Sequence, residues 1–495
     1  MSVQVSIQPD SAGSSVVAPT VVRLPQQVGA LIKASMAALE ARRWAEAIEL
    51  AAAAAVCDIQ EHQLLFLSRA SEAALMGELL ERGFAGAAAN GCANLRTQNA
   101  PLRRPVNHRG GPLRVLYIAP SLTPGQAAAE RLVNVVESHD RSTVQPLVLV
   151  ADEFTQRTPA GKWLEFPHFP SREAGAGLIA RLERAGVSPE FVSTTGDYLR
   201  AAEQGVALAR EHSPDVAVFI ASPACPIQAG MALARVAPIQ INQNIGAPLL
   251  IRGIDACLYR NPAAAATDKG TLDRLGIRSE LIPAAGIDLE SIASTPSADR
   301  TALGIPDHAT VLVSVSNRLP RRLDPANESG FGQALCRFLR ANPTVWWLGI
   351  GPGDFNDALR MFTAADVRNR VILTGGRHDV PALLKAADIY INEYPEGGSN
   401  TVLEAMACAL PVAAINAGDA HTWNIGASII GDAARPRGDT QGYWHLVAQW
   451  CRNTPERQAV GKANLARAQA EFGVESLCRS YERIYKKLFA TQQTP

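Results

Sequence analysis

The chain has 495 residues with 47 basic and 47 acidic side chains, hence no formal net charge, and an overall field of this kind argues against nucleic acid as the main ligand. That length exceeds what one hydrophobic core serves and implies roughly three domains. Its eight cysteines form no CxxC pair, as expected of reduced core residues in a cytoplasmic protein rather than of a disulfide framework.

Residues 1–24 lack a basic start followed by a long apolar run, and no uncharged apolar stretch of about eighteen residues occurs anywhere. The expectation is a flexible tail, no secretion signal and no transmembrane segment, with peripheral membrane contact left open. From residue 25 to 110 the sequence is rich in alanine, with Val28, Leu31 or Ile32, Met36 and Leu39 at helical spacing. This predicts an α-helical domain, either a packed cap or a tetratricopeptide-like unit, since "LEARRWAEAIELAAAA" has the small-residue hairpin pattern of such a unit.

After the Pro-, Gly- and Arg-rich linker "TQNAPLRRPVNHRGGPL" the period changes. "RVLYIA", "PLVLV", "DVAVFI", "PIQI" and "ACLY" are short apolar runs separated by helical stretches, which predicts a parallel sheet covered on both faces over 111–300. The same grammar restarts over 301–465 with "TVLVSV", "VWWLGI", "RVIL", "DIYIN", "PVAAI" and "SII". Two Rossmann-like domains in tandem leave a cleft faced by strand carboxyl ends, where ligands of such sheets bind. Residues 466–495 are predicted to form a closing helix.

The most informative stretch is "DIYINEYPEGGSNTVLEAMAC". With a strand before it and a helix after it, "GGSN" falls at a helix amino terminus, where unpaired N–H groups and the helix dipole attract an anion such as phosphate. Gly397 and Gly398 allow close backbone approach, and Ser399, Asn400 and Thr401 add short polar groups suited to capping or phosphate contact. Glu404, one turn beyond Asn400, can accept two hydroxyl hydrogen bonds of the kind a ribose offers, and Glu396 before the glycines can accept bonds from a sugar.

These residues resemble the signature of the retaining GT-B glycosyltransferases of family 4, Glu followed by seven residues and a second Glu, met here by Glu396 and Glu404. The likeness extends over most of residues 112–430: "LTPGQAAAERL" is similar to the family's first loop and helix, "IPAAGIDLESI" to its interdomain segment and "VSVSNRL" to its "VGRL" strand end. It implies a GT-B α/β fold, with an acceptor-side first domain and a nucleotide-sugar-binding second domain behind the helical region. It further implies a hexosyltransferase using a nucleotide-diphosphate sugar, UDP-linked, as co-substrate, with no cofactor and no metal. Arg318 is implied to hold the diphosphate and, with Glu396, to act in catalysis. Where the family has a lysine soon after the arginine, this chain offers Arg321 and Arg322 at different spacing. Its acceptor side also departs from the pattern, with Gly125 followed by Gln126 in place of a glycine pair and Asn244 where relatives carry a histidine.

A second resemblance competes. "VAPIQINQNIGAP" and "INEYPEGGSN" followed by "GDAHTW" are similar to segments of O-GlcNAc transferase and the bacterial adhesin N-glucosyltransferases, inverting enzymes that modify proteins and carry a helical domain before the GT-B core. That likeness implies a polypeptide acceptor and a base for its proton, with His421, Asp419 and His378 as the candidates nearest in sequence. A saccharide acceptor is the first expectation and a protein acceptor the second. Sugar-nucleotide epimerases, which share the doubled Rossmann fold, are a third.

Overall fold

The computed structural model of the chain describes residues 25–41, 43–55, 75, 111–124, 126–153, 171–193, 198–223, 225–245, 248–260, 262–282, 286–316, 318–327, 329–394, 397–416 and 425–493. Gly125, Glu396, Asp419 and His421 lie outside these residues.

Seven parallel strands form the first sheet: β1 Leu113–Ala119, β2 Val144–Val150, β3 Glu190–Phe191, β4 Val216–Ala221, β5 Ile239–Asn244, β6 Ala256–Tyr259 and β7 Arg278–Leu281, in the order β3-β2-β1-β4-β5-β6-β7. β4 is buried along its whole length, the pattern of a central strand with helices on both faces. The second sheet comprises β8 Thr310–Val315, β9 Val345–Ile350, β10 Val371–Leu373, β11 Ile389–Ile391 and β12 Val412–Ala413, in the order β10-β9-β8-β11-β12, again all parallel. Each sheet reverses its winding beside its first strand, at β1/β4 and at β8/β11, and such switch points open crevices at the strand carboxyl ends.

The C-terminal helix Val474–Gln493 returns to the first domain, where Leu477, Tyr481, Tyr485 and Leu488 share a buried cluster with Val133 and Val136. The crossing is close-packed: a Cβ on Gly286 would fall 2.8 Å from Val474 Cα, and Ile287 N donates to Phe472 O at 3.0 Å. A buried polar chain fixes the returning helix, with the Tyr117 hydroxyl 2.6 Å from His139 Nε2 and 2.9 Å from the Tyr485 hydroxyl, and His139 Nδ1 2.9 Å from Glu482 Oε1.

Ahead of the sheets, helices Pro25–Glu40 and Trp44–Ala55 form a hairpin joined by the Ser35 hydroxyl donating to Ala47 O at 2.9 Å. Ala38, Ala47, Ile48 and Leu75 belong to the same buried cluster as Leu199, Ala202 and Met231 of the first domain. The buried face differs from the expected one: Met36 is exposed, while Ser35 and Ala38 point inward. Small residues at these positions let the first helix approach closely, while Leu39, Trp44, Ile48 and Leu75 supply the larger apolar contacts.

Two further expectations are corrected. "SII" is the end of a helix, Ile425–Ile430, not a strand, since so short an apolar run does not distinguish the two periods. Strands β3 and β7 were not expected: β3 has two residues, and β7, "RSEL", is an edge strand with three of its four residues exposed, so it carries no apolar run. Among the described residues, no helix is long and apolar enough to cross a membrane.

Candidate active site

The loop after β11 takes its shape from the space its glycines leave. A Cβ on Gly397 would fall 2.1 Å from Asn392 Nδ2, and one on Gly426 would fall 2.2 Å from Gly398 O. Asn392 Nδ2 itself donates to Gly398 O at 3.3 Å, so a side chain at either position would displace the turn. Gly426 lies well outside the motif, and its role becomes visible only in three dimensions. Tyr390 donates its hydroxyl to Thr401 Oγ1 at 2.8 Å, and Tyr443 donates to Asn392 O at 3.0 Å. These bonds hold the first turn of helix Asn400–Ala407 against the β8/β11 switch point.

Ser399 precedes that helix, but its side chain makes no capping hydrogen bond, and the Thr401 hydroxyl is engaged with Tyr390. The capping alternative for these residues is therefore not the one adopted. An uncapped amino terminus lined by glycine suits a phosphate group.

The loop after β8 brings basic side chains to the same place. Arg318 precedes the short helix Leu319–Leu323, and its backbone N–H donates to Ser316 Oγ at 3.1 Å. Of the two following arginines, Arg321 is exposed and Arg322 is only 3% exposed, so the helix turns Arg322 inward.

Between these loops sits Glu393, which sequence reasoning missed. It is 2% exposed, and neither carboxylate oxygen meets the geometry of a full hydrogen bond. Burial raises its pKa above the ordinary carboxylate range, outweighing the lowering pull of the Ser316 hydroxyl and of Arg322 and Arg318. The available signal was an acid two residues beyond an apolar strand.

Glu404, on the same helix as Asn400, is pushed up to about 7, first by burial and then by Glu130. Glu130 belongs to helix Ala127–Ser138 of the first domain, so the carboxyl ends of the two sheets face each other across a cleft. On the acceptor side, Gln126 opens that helix and accepts a hydrogen bond from Ser121 Oγ at 2.7 Å. Asn244 donates to Leu258 O at 3.1 Å, at the ends of β5 and β6. His378 is exposed beyond β10.

Glu153, after β2, is fully buried and accepts from Gln228 N at 2.8 Å and Ile227 N at 3.4 Å. Burial outweighs both bonds and pushes its carboxyl to about 8. Glu153 and Glu404 both have folded pKa values above the ordinary 4.5, so each keeps its proton in the folded state where the unfolded chain has lost it. Their contribution is complete below about pH 4.5 and is lost as pH rises towards 7 for Glu404 and 8 for Glu153. The ligand-free protein should therefore melt higher at pH 6 than at pH 8, by up to about 1.4 kcal/mol per group per pH unit in this window, and Glu153→Gln should flatten the profile. A parent profile that rises with pH over this range would contradict these assignments.

Residues 329–433 match the family model for glycosyl transferases group 1. A search of curated protein sequences found no match. Among solved structures, a Thermobaculum terrenum O-GlcNAc transferase mutant superposes with TM-score 0.55 at 16% identity, over 94% of this chain and 92% of that one. Anabaena HepE in complex with UDP and glucose superposes with TM-score 0.54 at 18% identity, over 76% of this chain and all of the other. A glycosyltransferase from Rickettsia africae gives TM-score 0.56 at 14% identity, over 76% of this chain and 98% of the other. These likenesses establish the GT-B fold, and with the family-model match they support a glycosyltransferase enzyme.

Proposed function

We propose that the chain transfers a hexose from a nucleotide-diphosphate sugar, UDP-linked, to a saccharide acceptor, with the donor on the second sheet and the acceptor entering from the first. The observation that carries this reading is the glycine-lined amino terminus of helix Asn400–Ala407, which with Glu404 lies within the segment that matches glycosyl transferases group 1 and faces the loop after β8 that carries Arg318 and Arg322. The UDP assignment draws on the HepE complex with UDP and glucose.

In this proposal Arg318 forks two oxygens of the diphosphate and stabilises the charge that grows there. The helix amino terminus and Arg322 supply the rest of the neutralisation, without a metal or a cofactor. Glu404 accepts the ribose hydroxyls, and Glu396 accepts hydrogen bonds from the donor sugar. The bond between C1 and the diphosphate oxygen breaks and its electron pair goes to the phosphate. The acceptor hydroxyl oxygen bonds to C1 on the same face, and the departing phosphate takes the proton, so retention requires no protein base.

A second reading has its own support. The O-GlcNAc transferase likeness spans 94% of the chain, against 76% for HepE, and so takes in the helical region as well as the two sheets. This favours a polypeptide acceptor presented by the helices, with inversion at C1 and a base required for the acceptor proton.

Glu404→Ala tests the donor site common to both readings. Losing a carboxylate that accepts two hydroxyl hydrogen bonds should weaken nucleoside-diphosphate binding roughly ten- to a hundredfold, measured by titration calorimetry, with the melting temperature preserved. An unchanged affinity would remove Glu404 from the site.

A further inference from the structure

Among the described residues, Arg131 is a buried cation without a counter-charge. It lies in helix Ala127–Ser138 of the first domain and is only 5% exposed. Among the described residues no carboxylate pairs with it: its one hydrogen bond runs from Nη2 to Asn400 Oδ1, across the cleft, at 3.4 Å, and its Nε has no partner. Burial lowers its pKa, outweighing the opposing influence of the phenol of Tyr481, which donates to Gln243 Oε1 at 2.9 Å.

A guanidinium in such surroundings is costly unless it meets an anion, and one long bond to a neutral amide is poor compensation. Asn400 is the first residue of the helix whose amino terminus is lined by Gly397 and Gly398. The cation and the helix terminus therefore converge on one point from opposite domains. Each attracts negative charge, and a forked guanidinium suits phosphate oxygens.

We infer that Arg131 is a donor-contacting residue supplied by the first domain, its guanidinium binding the diphosphate of the nucleotide sugar in place of the bond to Asn400 and so tying domain closure to donor binding. This inference rests on the donor site proposed above. Sequence reading did not single out Arg131, although it falls within the "LTPGQAAAERL" resemblance, because its partner lies 269 residues away.

The test uses the full chain and the variant Arg131→Met, which keeps the volume of the stem and removes the charge, with Arg131→Lys as the conservative control. Calorimetry with UDP, GDP and ADP identifies the nucleoside diphosphate that the parent binds, and the matching nucleoside serves as the reference ligand. The expected result is a loss of roughly tenfold or more in diphosphate affinity for Arg131→Met, partial recovery in Arg131→Lys, unchanged affinity for the nucleoside, and a ligand-free melting temperature equal to the parent's or higher. Undiminished diphosphate affinity in Arg131→Met overturns the inference, and so does a lowered melting temperature with equal loss of nucleoside and diphosphate, which marks a structural latch. If the parent binds none of the three diphosphates, the donor-site proposal itself fails and this inference falls with it.

Discussion

Arg318→Ala is expected to lower turnover by about a hundred- to a thousandfold while changing donor affinity far less. The asymmetry follows from where charge develops: the diphosphate gains negative charge as its bond to C1 breaks, so a guanidinium fixed beside it contributes more in the transition state than in the ground state. Position supports this role. Arg318 follows β8 at the switch point, with its N–H tied to Ser316, and the inward-turned Arg322 and the buried Glu393 lie close by. Steady-state kinetics separate the outcomes: a matched loss in kcat and kcat/KM fits the proposed role, a rise in KM alone marks uniform binding, and activity equal to the parent's removes Arg318 from the site.

The second large effect concerns the first hundred residues. A chain shortened to begin at His108 loses Ala38, Ala47, Ile48 and Leu75, which share a buried cluster with the first domain. Exposing the matching surface should cost about 1.5–3 kcal/mol for each large apolar side chain left without cover. The expected result is aggregation, or a clearly lower melting temperature, at concentrations where the full chain is monodisperse. A shortened chain as stable as the parent would show that the helices do not serve as cover. If it stays folded and hydrolyses donor yet no longer transfers to polypeptide, the protein-acceptor reading gains. Equal transfer to polypeptide by both chains would rule out recruitment by the helices.

What the sequence made legible was local. Near-continuous apolar runs marked most of the strands, because a strand buried on both faces has few solvent-facing positions, and β7 escaped because an exposed edge strand has no such run. Gly397, Gly398 and Glu404 could be singled out from sequence because the glycine turn and the first helical turn after it are contiguous in the chain. Gly426 was not, since its requirement comes from the carbonyl oxygen of Gly398, 2.2 Å from where its Cβ would stand. Arg131 and Glu393 look like ordinary charged residues of a helix and a loop. Only burial, with a single amide partner for one and no complete hydrogen bond for the other, distinguishes them. Choosing between Arg321 and Arg322 likewise depended on the phase of a five-residue helix.

The most direct measurement is to incubate the purified protein with UDP-, GDP- and ADP-hexoses, with and without saccharide acceptors, and to follow both the nucleoside diphosphate and the sugar by mass spectrometry and NMR. The expected result is release of one nucleoside diphosphate, slow with donor alone and faster with a saccharide acceptor, with the sugar appearing in the new glycoside and Glu404→Ala losing donor use. Release of no nucleoside diphosphate from any donor, or conversion of donor alone to an epimeric sugar nucleotide, would contradict a glycosyl-transfer site at the amino terminus of helix Asn400–Ala407.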